Sequence, residues 1–467
     1  MTAAGLHPSV LREYDIRGII GGTLSVDDYR RIGQAYGSML SEKGGRTVAV
    51  GYDGRLTSPD LERALTEGLA STGLLVLRVG LGPSPMLYFA THHFGCDGGL
   101  MVTGSHNPPE YNGLKMSWLG RPFFGADIAA LGARVAAGAV VSGAGQIEDR
   151  PVANDYADRL IAAMKPGRDL AVAWDPGNGA AGSIVKQLAA RLPGRHTTIN
   201  AIIDGNFPAH HPDPTVESNL LQLKDAVAKG ACDLGVAFDG DGDRIGVVDA
   251  QGRVVWGDQI LLILAREVLA DVPGATIIAD VKSSQVFFDE VARLGGRPLM
   301  SRTGHSLIKT MMVETGAELA GEMSGHIFFA HGYYGFDDAL YATIRLLSIL
   351  STSDMTLAQM RDAMPPVVNT PELRIDCAEE RKFAVVEAVK ARLKGRPGIT
   401  VHDIDGVRVT SEDGWWLLRA SNTQPVLVGR CEAASAEGLE RLKHALAGEL
   451  KESGIDPVGV YLPGSGH

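Results

Sequence analysis

The chain has 467 residues, 45% of them hydrophobic and 21% charged, an ordinary globular composition at a length that argues for several domains rather than one core. With 44 Lys and Arg against 55 Asp and Glu, the formal net charge is −11. That balance disfavours a nucleic-acid binder or an anionic-membrane binder, and an anionic substrate would need a locally basic cleft.

The cysteines Cys96, Cys232, Cys377 and Cys431 stand far apart. No CxxC metal or redox pair exists, and isolated reduced core thiols are expected. The N-terminus lacks a charged segment followed by an apolar one, and no stretch is apolar enough to span a bilayer. The expectation is a cytoplasmic protein.

Tyr29, Ile32, Tyr36, Met39 and Leu40 fall at helical spacing. Thr47–Tyr52 reads as a buried strand. Ser58-Pro59 reads as a helix start, with Ser58 as N-cap and Pro59 in the first turn. Leu61, Leu65 and Leu69 continue that helix, and Leu74–Val79 forms the next strand. Strand, helix, strand at this spacing implies parallel βαβ units. Gly99–Val102 is a further strand, ending in Thr103-Gly104-Ser105-His106-Asn107-Pro108.

The pattern restarts at Leu170–Asp175, before the turn Pro176-Gly177-Asn178-Gly179, and again at Ala275–Asp280. Each of these strands is a β-branched run ending near an Asp, like Val48–Asp53, which suggests three similar α/β domains. Between the restarts, Leu234–Phe238 and Ile245–Val248 bracket Asp239-Gly240-Asp241-Gly242-Asp243-Arg244. The last hundred residues differ. Gly406–Thr410 and Trp415–Arg419 form a hairpin around Glu412-Asp413-Gly414. Val426–Arg430 adds a strand, and Leu439, Leu442, Leu446 and Leu450 mark a helix. The expected domains are therefore 1–150, 151–253, 254–366 and an α+β domain over 367–467.

Two segments carry chemistry. Glycines between Asp239, Asp241 and Asp243 let the backbone curl until the three carboxylates converge, an arrangement that is costly without a cation. A hard ion such as Mg²⁺ is the natural partner. An EF-hand is excluded because its twelfth position, which should be Glu, is Ala250. A solvated acidic hairpin turn is the alternative. Ser105 sits at the C-terminal end of a strand, where open α/β sheets bind ligands. Its hydroxyl could carry a phosphoryl group. A turn capped by its own Ser, His and Asn side chains is the alternative there.

Five segments in one order resemble the α-D-phosphohexomutase superfamily, and most closely its bacterial phosphomannomutase/phosphoglucomutase members. They are Tyr14-Asp15-Ile16-Arg17-Gly18, the Ser105 turn, the Asp239 run, Gly321-Glu322-Met323-Ser324-Gly325-His326 and Arg419-Ala420-Ser421-Asn422-Thr423. The resemblance covers nearly the whole chain. It implies three related α/β domains with mixed sheets plus a C-terminal α+β domain, around a central cleft. One departure is Leu114, where the family more often has Phe. It leaves the part expected of Lys115 intact.

The resemblance implies interconversion of the 6- and 1-phosphates of mannose and glucose through phosphorylated Ser105. Hexose 1,6-bisphosphate would be the intermediate and activator. One Mg²⁺ would be held by Asp239, Asp241, Asp243 and a Ser105 oxygen. Arg17, Lys115 and His326 would assist proton movement. Tyr14, Arg244, Lys282, His305, Glu322, Met323, Ser324, Gly325 and His326 would face the substrate. Arg419, Ala420, Ser421, Asn422, Thr423 and Arg430 would grip its non-reacting phosphate. His92, His93, His210 and His211 are read as packing residues. Hexose phosphates are the expected partners, with no nucleic acid or membrane. The sequence does not determine the oligomeric state, and a monomer is the default. The competing readings are a phosphoglucosamine mutase, an aspartyl-phosphate phosphatase acting through Asp239, and a sugar-phosphate-binding module without catalysis.

Overall fold

The computed structural model describes residues 5–421 and 425–461. Its four sheets follow one another along the chain. The first three share one plan. A parallel core ends in a strand whose successor folds back antiparallel, and the connection between those two strands carries a functional loop.

In the first sheet, Thr47–Tyr52 pairs parallel with Leu75–Leu81 and with Gly98–Val102, and the latter pairs antiparallel with Tyr111–Trp118. The Ser105 turn joins that last pair. In the second, Leu170–Asp175 pairs parallel with Leu234–Phe238, which pairs antiparallel with Ile245–Asp249. The Asp239 run is their connection. In the third, Thr276–Asp280 pairs parallel with Leu319–Gly321, which pairs antiparallel with Ile327–Phe329. Glu322 to His326 form that loop. All three loops thus lie at the carboxyl ends of parallel strands, where a sheet leaves backbone groups free to meet a ligand.

The fourth sheet is antiparallel. Val407–Ser411 and Gly414–Ala420 form the expected hairpin, and Val426–Ala433 lies beside it. Leu442, Leu446 and Leu450 of the helix Ala436–Glu452 are buried, while Leu439 is only partly so.

One apolar cluster runs from Met86, Phe89 and Met101 through Trp174 and Phe238 to Leu264, Phe329 and Leu347. The first three domains therefore share a core, a source of rigidity between their loops. The last domain has a separate core around Val389, Leu418 and Leu446. Its contact with the third domain combines a small apolar cluster of Val281, Trp415 and Leu417 with buried polar groups. Arg408 is fully buried and donates to the carbonyls of Val281 (2.8 Å) and Ser283 (2.9 Å). Glu432 accepts from the Trp415 indole at 2.8 Å and from the Gln285 amide at 2.9 Å.

The helix start expected at Ser58 is displaced. Thr57 is the N-cap, and Ser58 is the first residue of the helix Ser58–Ala70. The Ser58 hydroxyl instead donates to Asp53 Oδ1 at 2.6 Å and accepts from Asn112 Nδ2 at 2.9 Å, so both of its roles are taken by tertiary partners. The four cysteines are free, but Cys96 is only half-buried rather than a core thiol. Among the described residues, no helix is long and apolar enough to cross a membrane.

Candidate active site

The Ser105 turn and the Asp239 run meet. Ser105 is 3% exposed, and its hydroxyl donates to Asp239 Oδ2 at 3.0 Å and lies 3.2 Å from His106 Nδ1. Its φ is +50°, a left-handed conformation uncommon outside glycine. The Thr103 hydroxyl fixes it there by accepting from the Ser105 amide at 2.8 Å. A Cβ on Gly240 would collide with the Ser105 carbonyl, so glycine at that position lets the two loops touch.

Asp239, Asp241 and Asp243 are fully buried, and each offers an oxygen within 4.8 Å of the others'. This overturns the solvated-turn alternative. Lys115 Nζ bridges Asp241 at 2.6 Å and Asp243 at 2.5 Å. Burial works against that ammonium, yet the two carboxylates raise its pKa well above the usual lysine value. Burial, then the charges of Asp243 and Asp241, push the Asp239 carboxyl well above the ordinary range. Asp241 Oδ1 and Asp243 Oδ1 are buried without a hydrogen-bond partner. Orphaned carboxylate oxygens and a carboxyl that resists ionisation both fit a site made for a divalent cation with hard oxygen ligands.

The third domain brings His326 to the triad. Its Nδ1 is 3.1 Å from Asp337 Oδ2, and its Nε2 accepts from Arg244 Nε at 3.0 Å. With its Nε2 lone pair accepting from Arg244, a neutral His326 carries its proton on Nδ1, facing Asp337. Burial opposes ionisation of Asp337, but Lys309, at 2.9 Å, and the two histidines hold it well below the carboxylate range. His305 stacks on His326 with ring centroids 5.8 Å apart, and burial followed by the Lys309 charge lowers its pKa well below the usual value.

Glu322 is 2% exposed and accepts from the Gly304 amide at 2.8 Å; burial raises its carboxyl pKa. The Met323 amide donates to Asp280 at 3.1 Å. Ser324 is half-buried and Gly325 buried, and the Gly325 carbonyl accepts from the Ile245 amide at 3.0 Å, tying the sugar loop to the strand after the Asp run. Lys282 pairs with Glu372 at 3.1 Å. Arg430 donates to the Lys282 carbonyl and touches Met323 Sδ.

Arg17 bonds Asp15 and the Asn107 side chain of the serine turn. Tyr14 donates to the Thr303 carbonyl at 3.1 Å and packs edge-on to His305. Arg419 pairs with Asp405 at 2.9 Å, and Ala420 and Ser421 are buried beside it. Asn422 and Thr423 lie outside the described residues. Lys115, His305 and Lys309 also line a groove of about 1150 Å³ between the first and third domains, where Lys115, Arg121 and Lys309 face Asp97, Glu314 and Glu318.

Sequence reasoning missed Ser84, whose hydroxyl donates to Asp241 Oδ2 at 2.5 Å and whose amide donates to the Asp241 carbonyl at 2.8 Å. The Pro83-Ser84-Pro85 helix start was the available signal. It also missed Asp337, Lys309 and Asp53, which act only through tertiary approach.

A buried hydroxyl seated on a cation-ready carboxylate triad, with basic side chains around it, defines a multidomain α/β enzyme of phosphoryl transfer. Models of the phosphoglucomutase/phosphomannomutase domains match the chain in order: alpha/beta/alpha domain I over residues 9–139, domain II over 154–252, domain III over 256–367 and the C-terminal domain over 372–449. The phosphomannomutase/phosphoglucomutase of Pseudomonas aeruginosa is 43% identical over 96% of this chain and 97% of its own. The phosphoglucomutase of Neisseria gonorrhoeae is 41% identical over 94% and 96%. A solved phosphoglucomutase/phosphomannomutase family protein from Burkholderia thailandensis superposes with a TM-score of 0.91 at 42% identity, covering 96% of this chain and 98% of its own. The chain belongs to the phosphoglucomutase/phosphomannomutase family.

Proposed function

We propose that the protein interconverts the 6- and 1-phosphates of mannose and glucose, with Ser105 as the phosphoryl carrier. The observation that carries this reading is the Ser105 hydroxyl 3.0 Å from Asp239 within the buried triad. In the forward half-reaction the bond between phosphorus and Ser105 Oγ breaks as one forms to the free sugar hydroxyl, giving a hexose 1,6-bisphosphate. Rebound with its ends exchanged, the bisphosphate returns its other phosphoryl group to Ser105. The family match, and the resemblance in the sequence, support this order of events.

Asp239, Asp241, Asp243 and an oxygen on Ser105 would hold one Mg²⁺, which when bound polarises the transferring phosphoryl group. His326, once substrate draws Arg244 away from its Nε2, accepts the proton of the attacking sugar hydroxyl. Lys115, kept protonated by two carboxylates, and Arg17 neutralise charge around Ser105, and the family resemblance gives both a part in guiding the proton of Ser105 Oγ. Glu322 and Ser324 bind adjacent sugar hydroxyls. A carboxylate accepts from two hydroxyls whichever end of the sugar is presented. Met323 and Gly325 shape that loop, with Lys282, His305, Tyr14 and Arg244 around the ring. Arg419, the loop that follows it and Arg430 hold the phosphate that does not react.

A coupled assay with mannose 1-phosphate, glucose 1-phosphate and glucosamine 1-phosphate, primed with hexose 1,6-bisphosphate, tests the substrate class. Turnover of the first two, with the amino sugar far slower, is expected. Preference for the amino sugar would replace this reading with a phosphoglucosamine mutase. Tight binding without turnover would replace it with a binding module.

A further inference from the structure

We propose that Arg55 is the positioning residue for Ser105: a buried guanidinium that fastens the backbone of the serine turn and so sets the direction of its hydroxyl. The inference rests on the reading of Ser105 as the phosphoryl carrier.

Arg55 is 1% exposed. Its Nη2 donates to the carbonyls of Ser105 at 2.8 Å and Asn107 at 2.6 Å. Its Nη1 donates to the carbonyls of Pro108 at 2.6 Å and Tyr111 at 2.9 Å. Four carbonyls of one turn thus converge on one side chain. No other residue type offers a planar fork of five N–H donors. The Pro108 carbonyl also accepts from the Tyr111 amide at 3.0 Å, whereas the Ser105 carbonyl, turned inward by the left-handed conformation of Ser105, is held by Arg55. A Cβ on Gly104 would collide with the guanidinium, so the turn is moulded onto Arg55.

Asp53 completes the fastening. Its Oδ2 lies 3.2 Å from Arg55 Nε and accepts from the Thr103 hydroxyl at 2.8 Å and the Gly104 amide at 3.1 Å. Its Oδ1 accepts from the Arg55 amide at 3.0 Å. One carboxylate and one guanidinium therefore hold the turn from Thr103 to Tyr111. The second domain closes over them, with the Phe207 ring 5.2 Å from the Arg55 guanidinium. Because Arg55 holds the Asn107 carbonyl, it also sets the Asn107 side chain to which Arg17 bonds. Arg55 touches no reacting atom. Its effect on chemistry passes through the position of Ser105 Oγ over the carboxylate triad, and a misplacement of about 1 Å costs on the order of a hundredfold in rate.

The test is steady-state turnover of glucose 1-phosphate by full-length Arg55→Lys and Arg55→Ala, with single-turnover phosphoryl transfer from hexose 1,6-bisphosphate to Ser105. The expected result for Arg55→Lys is a folded enzyme with kcat lowered on the order of a hundredfold and an unchanged KM. Lysine keeps the charge but has no planar fork. Millimolar guanidinium added to Arg55→Ala should recover part of the lost kcat, which a merely destabilised protein would not show. Should Arg55→Ala fail to fold, Arg55→Lys alone decides. Wild-type kcat in Arg55→Lys overturns the proposal, as does a loss borne by KM rather than kcat. Wild-type turnover with no phosphate ever on Ser105 would instead overturn the functional reading beneath it.

Discussion

Lys115 bridges Asp241 and Asp243 at the Ser105 centre, whereas Asp239 receives the Ser105 hydroxyl, and these neighbours set the chemistry of each carboxylate. Asp241 has the Lys115 ammonium and Ser84, which hold it ionised against burial, whereas burial and then the like charges of Asp243 and Asp241 make Asp239 resist ionisation. Ser105→Ala should lower turnover at least about a thousandfold, the scale of losing a covalent nucleophile, with substrate binding retained. His326→Asn keeps a polar side chain but removes the imidazole and its basic nitrogen, and kcat should fall roughly 10²- to 10⁴-fold with little change in KM. Glu322→Gln removes a charge-assisted acceptor worth about 1.5–3 kcal/mol, so kcat/KM should fall roughly ten- to a hundredfold for both sugars in the same coupled assay.

At the scale of elements, three hairpin connections carry the candidate site, and each is a continuous run of chain. Their chemistry was therefore legible in the sequence. Asp-Gly-Asp-Gly-Asp between two strands, or Ser105 after a strand, states its geometry locally. Ser84, Asp337 and Arg55 were not legible because their partners are distant in sequence; Ser84 and Asp241 are 157 residues apart. The Asp ending each central strand was seen as a repeat, but not that Asp53 and Asp280 each tie down a functional loop.

The third such residue, Asp175, pairs at 3.0 Å with His210, which had been read simply as a packing residue. Burial opposes the His210 imidazolium, but Asp175 raises its pKa above the ordinary 6.5. The folded imidazole then holds its proton more tightly than the unfolded one. Its stabilisation is complete below pH 6.5 and is lost as pH rises through the raised folded value. His210→Gln should cost roughly 1.5–3 kcal/mol in urea unfolding at low pH. The cost should shrink at pH values above neutrality, and a deficit independent of pH would refute the assignment.

Over the whole molecule, an apolar cluster spanning the first three domains holds the Ser105, Asp239 and Glu322 loops in fixed relation, while the fourth docks through buried polar groups and the small cluster of Val281, Trp415 and Leu417. A domain interface that is not large and apolar leaves relative motion the default. That arrangement suits a substrate whose two ends must exchange places. Arg408→Met leaves the carbonyls of Val281 and Ser283 unpaired, a penalty of roughly 1–3 kcal/mol. Hydrogen exchange should show it as earlier opening of the last domain, with protection in the first three unchanged.

The central claim is that Ser105 gives and takes back the phosphoryl group. Rapid-quench peptide mapping after mixing with radiolabelled hexose 1,6-bisphosphate tests it most directly. The account predicts label on Ser105 that is discharged by unlabelled glucose 6-phosphate at the rate of turnover. Label on Asp239, or full turnover with Ser105 unlabelled, would contradict it.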